Sequence, residues 1–281
     1  MSDPGRTRLA VLGSPISHSR SPAIHRAAYR ALGLEWTYEA AEVTGGTLAE
    51  YLRSRDESWR GLSLTMPLKR DILPLLDWCE PLATLVGGAN TVLFAEDGLR
   101  GFNTDVHGVI RSFKGVGVTS LGYVHVLGSG ATAASVLVAV AALGATRVLV
   151  YARTPERAAD LVALGAELEV EVIVRGWGVL DRSLIAPDAI VSTLPGGAND
   201  MVFAEPIRER AVLFDVAYDP WPSELARAWD AAGGTVISGL DLLVNQAVGQ
   251  IRIFTTGDQH EPLPREDAVV AAMRAAVAVP S

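Results

Sequence analysis

Short apolar stretches of strand character alternate with amphipathic helical stretches along almost the whole of this 281-residue chain. That alternation points to the α/β class, because parallel strands need long crossovers and helices usually supply them. In the first half, Arg8–Leu12 reads as a strand and Pro22–Leu32 as a helix with proline near its start, where a missing N–H matters least. Gly61–Thr65 reads as a strand ending in a turn at Pro67. Asn90–Phe94 and Leu99–Phe102, joined at Glu96-Asp97-Gly98, read as a hairpin, since Asp-Gly is a strong turn signal. Thr104 or Asp105 is placed to cap a helix reaching about Phe113.

The alternation restarts near Gly115-Val116-Gly117 and becomes more regular. Strands are expected at Tyr123–Leu127, Arg147–Tyr151, Val170–Val174, Ala189–Thr193, Val212–Val216 and Thr235–Ile237. Helices are expected at Ala131–Leu143, Pro155–Leu164, Pro222–Ala232, Leu240–Phe254 and Pro264–Val279. The length suits one large or two modest domains, and the chain shows no internal repeat.

Composition narrows the function classes. Nearly half the residues are hydrophobic and a fifth are charged, which rules out a disordered chain. A net charge of −8 argues against a general nucleic-acid or acidic-membrane binder. The single cysteine, Cys79, permits neither an internal disulfide nor a cysteine-built metal cage. The scattered histidines His18, His25, His107, His125 and His260 lack ligand spacing, so no metal is expected. The start lacks the apolar core of a signal peptide, and the longest apolar stretch, Ala131–Leu143, is too short to span a bilayer. A soluble, cytoplasmic protein without membrane or nucleic-acid partners is therefore expected. Of 24 basic residues, all but Lys69 and Lys114 are arginine, which fits the codon bias of a GC-rich genome.

Gly128-Ser129-Gly130-Ala131-Thr132-Ala133 matches the G-x-G-x-x-G/A dinucleotide fingerprint, with a strand before it and an apolar helix after it. Small residues let the backbone approach a pyrophosphate, and the helix N-terminus offers N–H groups to that anion. At the end of the next strand an NAD site would place an acid for the ribose hydroxyl. This chain has Tyr151-Ala152-Arg153-Thr154-Pro155-Glu156-Arg157 instead. Arg153 and Arg157 can converge on a 2′-phosphate, which favours NADP, although both also suit a solvated surface.

Three polar segments of the first half do not look like packing. Gly13-Ser14-Pro15-Ile16-Ser17-His18-Ser19-Arg20-Ser21-Pro22 gathers hydroxyls at a strand-to-helix junction, suited to a small carboxylate, and Ser19 or Ser21 equally suits a helix cap. Ser63-Leu64-Thr65-Met66-Pro67-Leu68-Lys69 delivers Thr65 and Lys69 from a strand end. Gly88-Ala89-Asn90-Thr91 and Gly101-Phe102-Asn103-Thr104-Asp105-Val106-His107-Gly108 crowd amides and a carboxylate at strand ends, which suits a hydroxyl-rich ligand.

Together with Gly239-Leu240-Asp241-Leu242-Leu243-Val244-Asn245-Gln246-Ala247, these segments resemble the shikimate dehydrogenase family nearly end to end. The resemblance implies a substrate domain at 1–105, completed by 240–281, facing a Rossmann-like NADP domain at 106–239 across a cleft. It also implies reversible NADPH-dependent reduction of 3-dehydroshikimate to shikimate in aromatic amino-acid biosynthesis, by a monomer or homodimer. Ser19 and Ser21 would hold the substrate carboxylate, and Thr65, Asn90, Asp105 and Gln246 its ring hydroxyls. Lys69 would lie beside the reacting oxygen, with Tyr218 closing the pocket. Gly128, Ser129, Gly130, Ala131, Thr132, Arg153, Thr154 and Arg157 would hold NADP, with Val216 and Gly239 near the nicotinamide. Departures from the family pattern are Ser63 where asparagine is common, Ala152 before the arginine, and the wording of the glycine loop and of the Gly239 segment. Related activities on quinate or aminoshikimate, or a non-catalytic NADP sensor, share these features.

Oxidising a secondary alcohol requires a group that exchanges a proton with its oxygen. Lys69 suits that role and Asp105 suits positioning it. Burial lowers a lysine pKa and a neighbouring carboxylate raises it.

Overall fold

The computed structural model describes residues 7–177, 186–195 and 201–278. The residues before 7 and the expected helix end at Val279 lie outside these ranges. The chain divides into two units, residues 1–104 with 243–281 and residues 105–242.

The first unit is built on the strands β1 (Arg8–Gly13), β2 (Thr37–Glu42), β3 (Trp59–Leu64), β4 (Trp78–Cys79), β5 (Thr91–Ala95) and β6 (Gly98–Phe102). They form one sheet in the order β2-β1-β3-β5-β6-β4. β1 pairs in parallel with β2 and β3, while β5 runs antiparallel to β3 and β6. The helices are α1 (Ser21–Leu32), α2 (Gly45–Arg53), α3 (Leu68–Asp71) and α4 (Pro81–Val86). The chain then enters the second unit through α5 (Asp105–Gly115) and returns through α10 (Gly239–Thr256) and α11 (Glu266–Ala275). The partly buried salt bridge from Arg252 to Glu266 ties α10 to α11.

A buried polar chain runs through this unit. His25 stacks on the Tyr38 ring at 3.9 Å and lies 3.2 Å from the Tyr29 hydroxyl and 3.1 Å from Gln250 Oε1. The Tyr38 hydroxyl donates to Ser63 Oγ at 2.6 Å, and Ser63 donates to Gln250 Oε1 at 2.8 Å. Gln250 Nε2 donates to the Asn90 carbonyl at 3.2 Å. The amide oxygen of Gln250 therefore faces His25, and the imidazole fits as a neutral ring that donates from Nε2 and accepts at Nδ1. Burial lowers its pKa from 6.5 to about 3, partly opposed by the Gln250 bond.

The sign of the resulting pH dependence follows from linkage. Between pH 6.5 and about 3 the unfolded chain binds a proton at His25 that the folded chain refuses, so stability falls as pH falls. The slope from this residue approaches about 1.4 kcal/mol per pH unit. Denaturant titrations between pH 7 and 5 should show a flatter slope for His25→Asn than for the parent; equal slopes would remove His25 as the cause.

The second unit carries β7 (Tyr123–Leu127), β8 (Arg147–Ala152), β9 (Glu171–Gly176), β10 (Ala189–Ser192), β11 (Val212–Asp215) and β12 (Val236–Ser238). Between them run α6 (Ala131–Ala142), α7 (Ala159–Glu167), α8 (Glu205–Arg210) and α9 (Glu224–Ala231). The sheet is wholly parallel, in the order β12-β11-β10-β7-β8-β9. This is the doubly wound dinucleotide-binding order, which reverses direction between β7 and β10. α6 is buried from Ala133 to Val140, so its uniformly apolar sequence reflects burial on all sides.

Most expected elements stand where the sequence placed them, with three local differences. Residues 155–158 form a 3₁₀ turn, and the α-helix begins only at Ala159. α9 starts at Glu224, where the Ser223 hydroxyl caps it by accepting from the Ala226 N–H at 3.0 Å. β2, β4, α2, α3, α4 and α8 were not expected. β2 reads Thr-Tyr-Glu-Ala-Ala-Glu because it lies at the sheet edge with most side chains facing outward. Among the described residues no helix is long and apolar enough to cross a membrane.

Candidate active site

In the first unit the sheet topology gathers the polar segments at one end. β1 and β3 are parallel neighbours, so Ser14–Ser21 and Thr65–Lys69 leave the sheet from adjacent carboxyl ends. The antiparallel pairing of Ser63 with Thr91 and of Thr91 with Phe102 brings Asn90 and Asn103–Thr104 to that same end. The contact is close: the Ser14 N–H donates to the Met66 carbonyl at 3.0 Å, and a Cβ on Gly13 would lie 2.4 Å from Thr65. Glycine at 13 is what lets the two loops meet.

Ser21 opens α1 and is buried, while Ser19 is partly buried and accepts the Ser21 N–H at 3.3 Å. The formal cap position is Arg20, whose own side chain makes no cap bond. Hydroxyls thus stand beside the positive end of a helix, a setting suited to a carboxylate. Thr65 is partly buried just beyond β3. Lys69 lies on the single turn α3, partly buried, and its carbonyl accepts the Ala89 N–H at 2.8 Å. That bond seats the lysine backbone against the segment that carries Asn90.

Asn90 is almost wholly buried. Its Oδ1 accepts from the Thr104 N–H and from the Thr91 hydroxyl, each at 2.9 Å. Its Nδ2 donates to Thr104 Oγ1 at 3.0 Å and lies 3.4 Å from Gln246 Oε1. Gln246 reaches this point from α10. Of the two caps offered for α5, Thr104 or Asp105, the Thr104 hydroxyl is engaged by Asn90 and Gln246. Asn103 is held by two neighbours, its N–H donating to Glu80 Oε2 at 3.1 Å and its side chain to the Gly88 carbonyl at 2.8 Å. Burial raises the pKa of Glu80, opposed by its bonds to Asn103 and Gln259. Asp105, buried, is the first residue of α5 and of the second unit.

The second unit is equally ordered around its switch point. Gly128 ends β7 with φ 107°, and a Cβ there would lie 2.5 Å from Thr193 Oγ1 at the end of β10. Only glycine fits both demands. Gly130, in extended conformation, precedes α6 with no side-chain cap, and a Cβ added to it would meet nothing within 4 Å. Ser129, Ala131 and Thr132 are partly buried in the same loop and first turn. An open cradle beside uncapped N–H groups is what a pyrophosphate requires, so the residues present fit a dinucleotide.

Arg153, Thr154 and Arg157 lie exposed just past β8, and the Arg157 N–H donates to the Thr154 carbonyl at 3.0 Å. The Arg153 guanidinium stands 5.9 Å from the centre of the Trp177 ring. Val216 follows β11 and donates to the Ser192 carbonyl at 3.0 Å. A Cβ on Gly239 would lie 2.1 Å from the Val216 carbonyl oxygen, so these two backbones touch only because residue 239 is glycine. Tyr218, partly buried, sits in the connection that Asp215 pins by accepting from the Ala217 N–H at 3.2 Å and from the Ser223 hydroxyl at 2.6 Å. Burial raises the Asp215 pKa, those bonds opposing it. Among the described residues no group of three or more His, Cys, Asp or Glu is placed to hold a metal ion.

Sequence reasoning passed over Ser63, Gln250 and Tyr38 as a unit, because the signal joining them is a hydrogen-bond path between residues 187 positions apart. The identity of Ser63 was the available clue: a buried hydroxyl in a strand needs partners.

Comparisons place this geometry among known proteins. Residues 11–92 match the family model described as the shikimate dehydrogenase substrate binding domain. The shikimate dehydrogenase (NADP(+)) of Methanothermobacter thermautotrophicus is 31% identical, covering 90% of this chain and 93% of the relative. The crystal structure of Mycobacterium tuberculosis shikimate dehydrogenase superposes with a TM-score of 0.82 at 39% identity, covering 96% of this chain and 99% of the other. A Thermus thermophilus shikimate 5-dehydrogenase, solved in complex with NADP(H) and shikimate, gives a TM-score of 0.81 at 33% identity over 96% and 100% of the two chains.

Proposed function

This chain belongs to the shikimate dehydrogenase family, and from that premise we propose that it catalyses the reversible, NADP-dependent reduction of 3-dehydroshikimate to shikimate in aromatic amino-acid biosynthesis. The observation that carries this reading is the gathering of hydroxyls, buried amides and Lys69 at one end of the first unit's sheet, in a chain whose second unit bears an open glycine cradle. The first unit is the substrate domain and the second the NADP domain.

In this reading Ser19 and Ser21 bind the substrate carboxylate, assisted by the positive end of α1. Thr65, Asn90, Asp105 and Gln246 hydrogen-bond the ring hydroxyls, and Tyr218 covers the ring. The glycine loop from Gly128 to Thr132 holds the pyrophosphate, while Arg153, Thr154 and Arg157 hold the 2′-phosphate. Val216 and Gly239 form the wall against which the nicotinamide lies. NADPH, when bound, supplies the hydride that reduces the substrate carbonyl. Lys69 gives the proton to the resulting oxygen in reduction and accepts it in oxidation, and Asp105 orients the ammonium.

This reading assigns the enzyme to the cytoplasm. The enzyme acts there as a monomer or homodimer. Steady-state assays with shikimate and quinate, each against NADP+ and NAD+, are expected to give the highest kcat/KM for shikimate with NADP+. A preference for quinate or for NAD+ would overturn the assignment while leaving the fold unaffected.

A further inference from the structure

Two amides in the first unit have their polarity fixed by backbone groups that act in one sense only. The Thr104 N–H can only donate, so the atom of Asn90 that meets it at 2.9 Å is the oxygen. The Leu243 carbonyl can only accept, so the atom of Gln246 that meets it at 3.1 Å is the nitrogen. Asn90 consequently turns its donor toward Gln246, and Gln246 turns its acceptor toward Asn90. Their direct separation, 3.4 Å, is long for a hydrogen bond. The Thr104 hydroxyl stands between the two amides, accepting from Asn90 Nδ2 at 3.0 Å, with Asn90 Oδ1 at 3.2 Å and Gln246 Oε1 at 3.4 Å as the acceptors open to its single proton. Thr104 is 1% exposed, and its methyl group packs where a Cβ on Gly249 would lie 3.1 Å away. The hydroxyl rotamer is thus held by α10 itself.

We propose that Thr104 is a positioning residue for substrate binding, its N–H setting which atom of Asn90 meets the substrate and its hydroxyl setting the spacing of Asn90 and Gln246. The inference rests on the reading that these two amides bind the ring hydroxyls. Asn90 Oδ1 is occupied by Thr104 and Thr91, so any further partner of this amide must accept a hydrogen bond from Nδ2. Gln246, held at Nε2 by Leu243, offers Oε1 to a donor. A single hydroxyl, which both donates and accepts, matches that pair. The Thr104 bridge keeps the two atoms at the spacing the hydroxyl needs, and joins β6 to α10 across 142 residues of sequence.

Thr104→Val keeps the size and the backbone N–H and deletes the hydroxyl's contacts to Asn90 and Gln246. It is expected to raise the KM for shikimate about tenfold, the worth of one or two buried hydrogen bonds, with kcat and the KM for NADP+ within about twofold. Thr104→Ser restores the hydroxyl and should recover most of the affinity. Thermal melts of all variants separate this from unfolding: a purely structural role predicts a lower melting temperature with an unchanged shikimate KM. Asn90→Asp keeps the acceptor for Thr104 and Thr91 and loses the donor, so its shikimate KM should also rise. If Asn90→Asp and Gln246→Ala both leave that KM unchanged, the substrate-binding reading fails and the inference with it. If they raise it while Thr104→Val does not, or Thr104→Ser fails to recover it, the role of Thr104 alone is overturned.

Discussion

Lys69→Ala should lower kcat by about a thousandfold, within the range that general acid–base catalysis supplies, while the KM for shikimate changes by only a few-fold. Lys69→Arg should be nearly as impaired, although it keeps the charge. The reason is chemical: a guanidinium stays protonated at any working pH, so it can bind the substrate oxygen without exchanging a proton with it. Composition sharpens the test. This chain uses arginine at every Lys/Arg position except Lys69 and Lys114, so Lys69→Arg follows the chain's own usage while removing an exchangeable proton. The assay is the initial rate of shikimate-dependent NADP+ reduction at saturating concentrations of both ligands. A Lys69→Arg variant with near-parental kcat at neutral pH would sink the proton-transfer role and leave Lys69 as a binding residue.

The double replacement Arg153→Ala, Arg157→Ala should raise the KM for NADP+ by about thirtyfold and leave the KM for NAD+ within about threefold. Each guanidinium contributes a charge-assisted hydrogen bond to a phosphate that NAD+ lacks. Both side chains are exposed, so solvent and salt screen them, and the effect stays below what a buried pair would give. The same reasoning predicts that raising ionic strength weakens NADP+ binding in the parent more than in the variant. An unchanged NADP+/NAD+ preference in the variant would reduce the two arginines to solvated surface residues. Trp177 offers a control: Arg153 approaches its ring, so Trp177→Ala should loosen Arg153 and raise the KM for NADP+ by a smaller factor.

Much of this architecture was legible from residue order, for identifiable reasons. Buried parallel strands must be continuously apolar and crossover helices must carry an apolar face, so β7, α6, β8 and β11 announce themselves. The hairpin of β5 and β6 was set by Asp97-Gly98, and Gly98 indeed takes φ 120°. β2 and α2 were missed because an edge strand and a short surface helix bury too little to impose a period. Pro155 was read as the start of an α-helix, yet the first turn winds tighter and the α-helix waits for Ala159.

The candidate site divides along the same line. Residue order supplies the chemical types: the glycines where a backbone must pass close, the arginines past β8, Lys69, and the hydroxyls and amides at strand ends. These follow from local chemistry, since a φ of 107° at Gly128 or a strand-end amide can be inferred within a few residues. Tertiary structure alone decided which of those groups touch. A hydroxyl or carboxylate before a helix usually caps it, so sequence offers Thr104 or Asp105 for α5; the Thr104 hydroxyl bonds Asn90 and Gln246, because α10 returns to the sheet and supplies partners. The path from His25 through Gln250 to Ser63 spans most of the chain. Hydrogen bonds of that kind depend on where folded segments meet, and the meeting is fixed by burial summed over whole elements, which no short window of sequence contains.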